Sequence, residues 1–544
     1  MLKNYSLLLL SFIIFSCSSK KEQADLILHH AVIYSVDSAF NIYEAMAIKD
    51  GKILELNSND KILKKYTANE TIDLKNNTVF PGFIDAHCHF MAYGLGLQNV
   101  NLVGTKSFEE VLQRLMNYSK KQDTTWLIGR GWNQEDWQTK ELPDRKKLDS
   151  LFPDRPVLLS RIDGHAVLVN SAALKLAGIT NATKISGGEI LKSKGELTGV
   201  LIDNAADLVT SMVPKPTKED LFNALMNAQA NCFAQGLTTV DDAGLMKKEV
   251  EAIEELQKIG KLKMRVYAML SDNKENFDYY LNKGIYKTER LNVRAFKFYG
   301  DGSLGSRGAC LFKDYNDKKN WRGFLLNDVS HYEKCADLLN EKGFQMNTHC
   351  IGDSAVSVLT NIYKKYCNEK NEHRWRIEHA QVLASEDFKN FSEDIIPSVQ
   401  PTHATSDMYW AEARLGKERL KNAYAYKTLL SAAGKIALGT DFPVEDISPL
   451  KTFYAAVARQ DGKGFPEEGF EIENALSREE TLRGMTIWAA YANFEEKEKG
   501  SLESGKFADF IVLNKNMMTC EIKDILKTKV LATYVNGEKV FSLQ

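Results

Sequence analysis

The sequence predicts an α/β protein: a TIM-like (β/α)8 barrel carrying a small β-sandwich domain formed by both ends of the chain. Three observations predict it. Strand-like and helix-like runs alternate over about 350 residues, the pattern of a parallel closed sheet. Ligand-type side chains recur at the C-terminal ends of those strands, where a barrel carries its chemistry. Short β-type runs crowd both termini, and 544 residues leave room for a barrel of about 250 residues plus accessory segments.

In chain order, residues 1–17 read as a targeting segment. Lys3 supplies a positive start, Leu7 to Phe15 an apolar stretch too short to span a bilayer, and Ser16-Cys17 closes it. This resembles a bacterial lipoprotein signal with Ile14-Phe15-Ser16-Cys17 as the lipobox, which implies lipidation at Cys17. A plain cleaved signal peptide or an uncleaved anchor is the alternative. Residues 24–80 then hold β-type runs with an Asp50-Gly51 hairpin signal, and residues 500–544 return matching runs with Asn536-Gly537; the two segments are expected to form one β-domain.

The apolar run Thr78 to Ile84 leads into Asp85-Ala86-His87-Cys88-His89. Alternate strand residues share a face, so His87 and His89 aim the same way and Cys88 aims oppositely. Imidazole suits several divalent ions, but a lone His-x-His is as readily two hydrogen-bonded histidines. The barrel is expected over residues 81–499, interrupted by an insertion at about 95–215 that could cover its mouth. Within the insertion Trp132, Asn133, Trp137, Asp163 and His165 are candidates for substrate contact, although tryptophans there also serve packing. Further strands end at Asp241-Asp242, at Lys297, at His349, at His379 and at Asp441, and the run Ile395 to His403 carries His403. Glu378, one residue before His379, should point elsewhere by the same alternation.

The motifs PGFIDAHCH, KFYGDGSLGSRGA, NTHCIGDSAV, RIEHAQ, SVQPTHA and LGTDFPV stand in that order. Together they resemble the amidohydrolase superfamily (amidohydrolase family 3), in the branch related to N-substituted formamide deformylases, from about Asp25 to the C-terminus. The resemblance implies a barrel with one or two divalent metals that activate a water for hydrolysis. Two cations held about 3.5–4 Å apart require an anionic bridge. A buried lysine amine that has added CO2 provides one, because burial favours the neutral amine that reacts. The expected set is His87, His89 and Asp441 on one metal, His349 and His379 on the other, and carboxylated Lys297 between; a mononuclear site and an uncarboxylated Lys297 paired with an anionic substrate group stay open. Two zinc ions are expected first, with Fe, Mn or Ni also suited.

Asp441 is the expected catalytic acid/base, passing the water's proton to the leaving amine. His165, His403, Trp132, Asp163 and Arg307 are the expected substrate-binding residues, with Asp301 beside Arg307 in the glycine-rich loop. The expected reaction is hydrolysis of a carbon–nitrogen bond other than a peptide bond, in a small-molecule N-acyl, N-formyl or cyclic amide. A metal-dependent deaminase or an esterase/lactonase would use the same site. A non-catalytic membrane-tethered binding protein is disfavoured by the completeness of the six-residue donor set.

Composition agrees with a globular enzyme. Apolar residues make up 44%, and a net charge of -2 gives no reason to expect a nucleic-acid surface. Seven cysteines remain after Cys17, an odd number without short spacings, which does not read as a disulfide framework. The leader implies a lipid-anchored protein of the cell envelope, at the periplasmic face of the outer membrane; a homodimer is compatible with all of this.

Overall fold

A computed structural model describes residues 21–120, 125–367 and 372–543. Cys17, the expected lipidation site, lies outside the described residues. Among the described residues no helix is long and apolar enough to cross a membrane.

The centre is an eight-stranded parallel barrel: β1 (Phe83–Cys88), β2 (Leu237–Leu245), β3 (Arg265–Ser271), β4 (Leu291–Tyr299), β5 (Gln345–Cys350), β6 (Trp375–His379), β7 (Ile395–Val399) and β8 (Ala437–Leu438). Spatial order follows chain order, as right-handed βα crossovers require. The strands are buried on both faces; β3 is largely apolar, whereas β1 and β5 bury polar side chains such as Asp85, Gln345 and Asn347.

The seam is closed by local chemistry instead of a long ladder. β8 is two residues, much shorter than the sequence run from Lys435 to Asp441. Beyond it Gly439 passes so close to β1 that a Cβ there would lie 2.5 Å from the His87 nitrogen. Thr440 donates from its backbone N and its Oγ1 to the Asp85 carboxylate at 2.9 and 2.7 Å, and Asp441 N donates to His87 O at 2.8 Å. The seam therefore carries Asp441 directly onto the His87–His89 strand end.

Residues 100–203 leave the barrel and form their own six-stranded sheet. It has a packed core on each face: Leu102, Leu127, Trp132 and Leu159 on one, Leu158, Val167, Val169 and Leu201 on the other. At the opposite end of the barrel, two sheets pack over a core of Leu28, Ile33, Met46, Val79, Phe510 and Tyr534. One sheet comes wholly from residues 22–73, whereas in the other Thr78–Pro81 lies between Val32–Tyr34 and Phe510–Leu513. Both hairpin dipeptides adopt the left-handed pair a two-residue primed turn demands, Asp50 and Gly51 at φ 51° and 73°, Asn536 and Gly537 at 51° and 69°. Arg265 at the start of β3 locks this β-domain to the barrel, its Nε donating to Asp509 at 2.6 Å with both side chains buried.

Candidate metal centre

The C-terminal ends of β1, β4, β5 and β6 and the segment after β8 bring His87, His89, Lys297, His349, His379 and Asp441 together. His87 and His379 have ring centroids 4.9 Å apart, and His349 and His379 4.6 Å apart. Lys297 Nζ lies 3.1 Å from His87 Nε2, and Asp441 Oδ1 lies 3.2 Å from His89 Nε2 and 3.8 Å from His87 Nε2. His87 is wholly enclosed, and Lys297, His349, His379 and Asp441 are at most 5% exposed.

Three imidazoles have Nδ1 already committed. His87 Nδ1 donates to Glu378 Oε2 at 2.6 Å, His89 Nδ1 to Ala243 O at 3.0 Å, and His379 Nδ1 to Gln400 Oε1 at 2.6 Å. The neutral ring of each then offers a lone pair at Nε2, the arrangement in which outer hydrogen bonds fix metal-ligating histidines. Asp441 Oδ1 faces two of these lone pairs, and His349 Nε2 is buried without a hydrogen-bond partner. Acceptors converging on acceptors in a closed site call for a cation. His87, His89 and Asp441 form one cluster of donor atoms, and His379, His403 and Asp441 a second sharing the same carboxylate. An all-nitrogen-and-oxygen set of this kind fits Zn, Fe, Mn or Ni.

The electrostatics are consistent with that use. Burial pushes the Lys297 ammonium down to about 8, within reach of the neutral amine that CO2 addition requires. Burial holds His349 and His379 well below their ordinary values, so both rings are neutral. Burial alone would raise Asp441, but its contacts with His403, His89 and His87 together outweigh that and hold the carboxyl well below the usual range. Asp441 also has a left-handed φ of 63° and His379 one of 69°, uncommon for non-glycine residues and concentrated at sites that over-determine their backbone.

Other expected site residues separate into two groups. His165 reaches the cluster: its ring centroid is 4.9 Å from that of His349, and its Nδ1 donates to Asp203 Oδ1 at 2.6 Å. Asp163 supports it, accepting from the His165 backbone N at 3.1 Å and from Ser303 Oγ at 2.7 Å. His403 is on the short helix Pro401–Asp407, not on a strand end; its Nε2 is 3.1 Å from Asp441 Oδ2 and its Nδ1 3.1 Å from Glu445 Oε1. Trp132 and Arg307 are not brought to the cluster. Trp132 is 1% exposed in the insertion's own core, where its Nε1 donates to Leu159 O at 2.8 Å. Arg307 turns to the rim and pairs with Asp317 at 2.9 Å. Trp137 packs beside Trp132, while Asn133 Oδ1 accepts from Arg161 at 2.8 Å. Asp301 is an internal cap, accepting backbone N–H groups of Cys310, Ile351 and Gly352 at 2.7–2.9 Å.

Two residues of the site were not expected. Glu378 does face inward, against strict alternation, because the left-handed turn at His379 ends the pleat and lets neighbours point to the same interior. Asp203, the support of His165, adopts φ 51° and ψ -127°, and its Oδ2 is buried without a partner. The glycine-rich loop makes room for it: a Cβ at Gly302 or Gly308 would fall 2.5 Å from Asp203 Oδ2.

Comparison with known proteins follows the geometry. The profile of the amidohydrolase family matches residues 70–541. Protein LONG AFTER FAR-RED 3 of Arabidopsis thaliana is 33% identical over 95% of this chain and 92% of its own length. The N-substituted formamide deformylase of Arthrobacter pascens is 25% identical over 95% of this chain and 98% of its own. Among solved structures, an uncharacterized metal-dependent hydrolase of Pyrococcus horikoshii OT3 superposes with a TM-score of 0.74 at 27% identity, covering 91% of this chain and 99% of that one.

Proposed function

The chain belongs to the amidohydrolase family, and from that premise we propose that it hydrolyses a carbon–nitrogen bond other than a peptide bond in a small N-acyl, N-formyl or cyclic amide. The observation that supports this most is the convergence of the Asp441 carboxylate on the Nε2 atoms of His87 and His89, with the Lys297 amine 3.1 Å from His87 Nε2. His87, His89 and Asp441 would hold one divalent ion and His349 and His379 a second, zinc first in expectation, with carboxylated Lys297 between. When bound, such ions polarise the scissile carbonyl and acidify water.

The chain's own groups supply the rest. Asp441 accepts the proton of the attacking water and returns it to the leaving nitrogen, and His403 anchors Oδ2 so that Oδ1 stays turned to the cluster. His165, fixed on Asp203, stands on the insertion side and orients the substrate over His349. The 25% identity to an N-substituted formamide deformylase favours N-formyl amines as the first substrates to try. The reading also keeps the protein at the cell envelope through a lipid on Cys17; a Cys17→Ser chain that still fractionates with membranes would contradict the anchor.

The deciding experiment measures metal per chain in protein purified without added metal, beside Lys297→Ala, together with amine release from N-formyl and N-acyl amines and cyclic amides. About two equivalents at the barrel mouth, falling in the variant, with amine release from one class, is the expected result. One equivalent unchanged in the variant would replace the bridge by a mononuclear site. Metal without amine release, but with ester or lactone cleavage, would move the reaction to the esterase reading.

A further inference from the structure

Outside the barrel mouth the described residues hold a second mixed cluster of donors, which no step of the proposed hydrolysis uses. Asp272 follows β3, and His331 and Cys335 lie one turn apart on the helix Val329–Lys342. His331 Nε2 is 2.6 Å from Asp272 Oδ2 and 3.8 Å from Cys335 Sγ, and the three ligand atoms all lie within 4.8 Å of one another. An ordinary ion pair accounts for the aspartate and the histidine. It does not account for a thiol at the i+4 position turned to the same ring nitrogen.

We propose that Asp272, His331 and Cys335 form a second, structural site for a thiophilic divalent cation of the zinc or cobalt class. A four-coordinate ion bound at about 2.0–2.3 Å by nitrogen, oxygen and sulfur keeps its ligand atoms roughly 3.3–3.7 Å apart. The nitrogen–sulfur separation of 3.8 Å lies just above this range, and the carboxylate, 2.6 Å from the ring nitrogen, must move outward to admit an ion. Imidazole with thiolate selects Zn or Co over Mg or Ca. The Cys335 thiol, which burial pushes up to about 12, stays protonated without an ion; binding releases that proton and the one His331 Nε2 shares with Asp272 to solvent, leaving a thiolate and an Nε2 lone pair as ligands. The fourth position opens outward, since the His331 side chain is 35% exposed. Asp272 N donates to Lys297 O at 3.2 Å, so the ion would brace the turn behind the lysine strand.

This inference is independent of the hydrolase reading, and sulfur makes the two separable, because the donor set at the barrel mouth contains none. Cobalt(II) is titrated into the reduced, metal-depleted full chain. The expected result is a near-ultraviolet thiolate-to-cobalt charge-transfer band with the amplitude of one site per chain, beyond the cobalt taken up at the barrel mouth, absent in Cys335→Ser, and requiring at least about tenfold more cobalt in His331→Gln. The visible bands of cobalt at the barrel mouth, unchanged in both variants, report that they fold. No charge-transfer band in the wild type, or a band that survives Cys335→Ser, overturns the proposal.

Discussion

The floor and the roof of the candidate centre are built by different means. The floor is barrel: His87, His349 and His379 sit at strand ends whose backbones are fixed by parallel ladders, and the rings of His87 and His379 are fixed again by Glu378 and Gln400. The roof is insertion: His165 is held by Asp203, and the insertion is tied to the barrel loops by polar contacts such as Asp163–Ser303 and the pair of Arg414 with Glu135 at 2.7 Å. A floor made of strands leaves little freedom to its side chains, whereas a roof held by ion pairs and one strained aspartate tolerates change without unmaking the core. Chemistry is therefore expected to be fixed below and substrate choice above.

That contrast sets the size of mutational effects. Asp441→Asn removes the proposed acid/base and is expected to lower kcat by about 10²–10⁴-fold with the fold intact by circular dichroism; a smaller loss would move the proton to another group. Glu378→Ala should weaken metal affinity by about 10–100-fold, read by competition with a chelator, because it removes the acceptor that fixes the His87 ring. Asp203→Gly belongs to the roof: loss of the buried partner of His165 outweighs relief of the backbone, so stability should fall by about 1–3 kcal/mol in urea unfolding while kcat/KM falls several-fold, and an unchanged kcat/KM would detach His165 from substrate. Arg307→Ala should change stability by no more than about 0.5 kcal/mol and leave kcat/KM within twofold, since the side chain is spent on Asp317 at the rim. A tenfold loss would return Arg307 to the substrate.

How much of this was legible in the sequence follows the same division. The floor was, because His87, His89, Lys297, His349, His379 and Asp441 each stand at the C-terminal end of a strand-like run and a barrel turns every such end toward one mouth. Glu378 was not, because alternation holds only while the strand stays extended, and it stops at His379. The roof was legible in outline only. Asp163-Gly164-His165 signalled His165, but nothing around Asp203 marks it, since its partner is 38 residues away and its strain is a property of φ and ψ. Trp132 misled for a related reason: an aromatic in an insertion reads as recognition until the insertion proves large enough to have its own core. His403 changed neighbours because the chain after β7 turns at once into a helix and folds it back over Asp441.

The β-domain shared by the two chain ends bears on the order of synthesis. Its strand Thr78–Pro81 must wait for one of its two neighbours, Phe510–Leu513, which is made some 430 residues later. The barrel seam is likewise shut only when Thr440 and Asp441 arrive to meet a strand made some 350 residues before. A nascent chain thus stays open at both seams until those distant segments have been made, and each seam closes as a long-range event, which is the slow and topologically demanding class of folding.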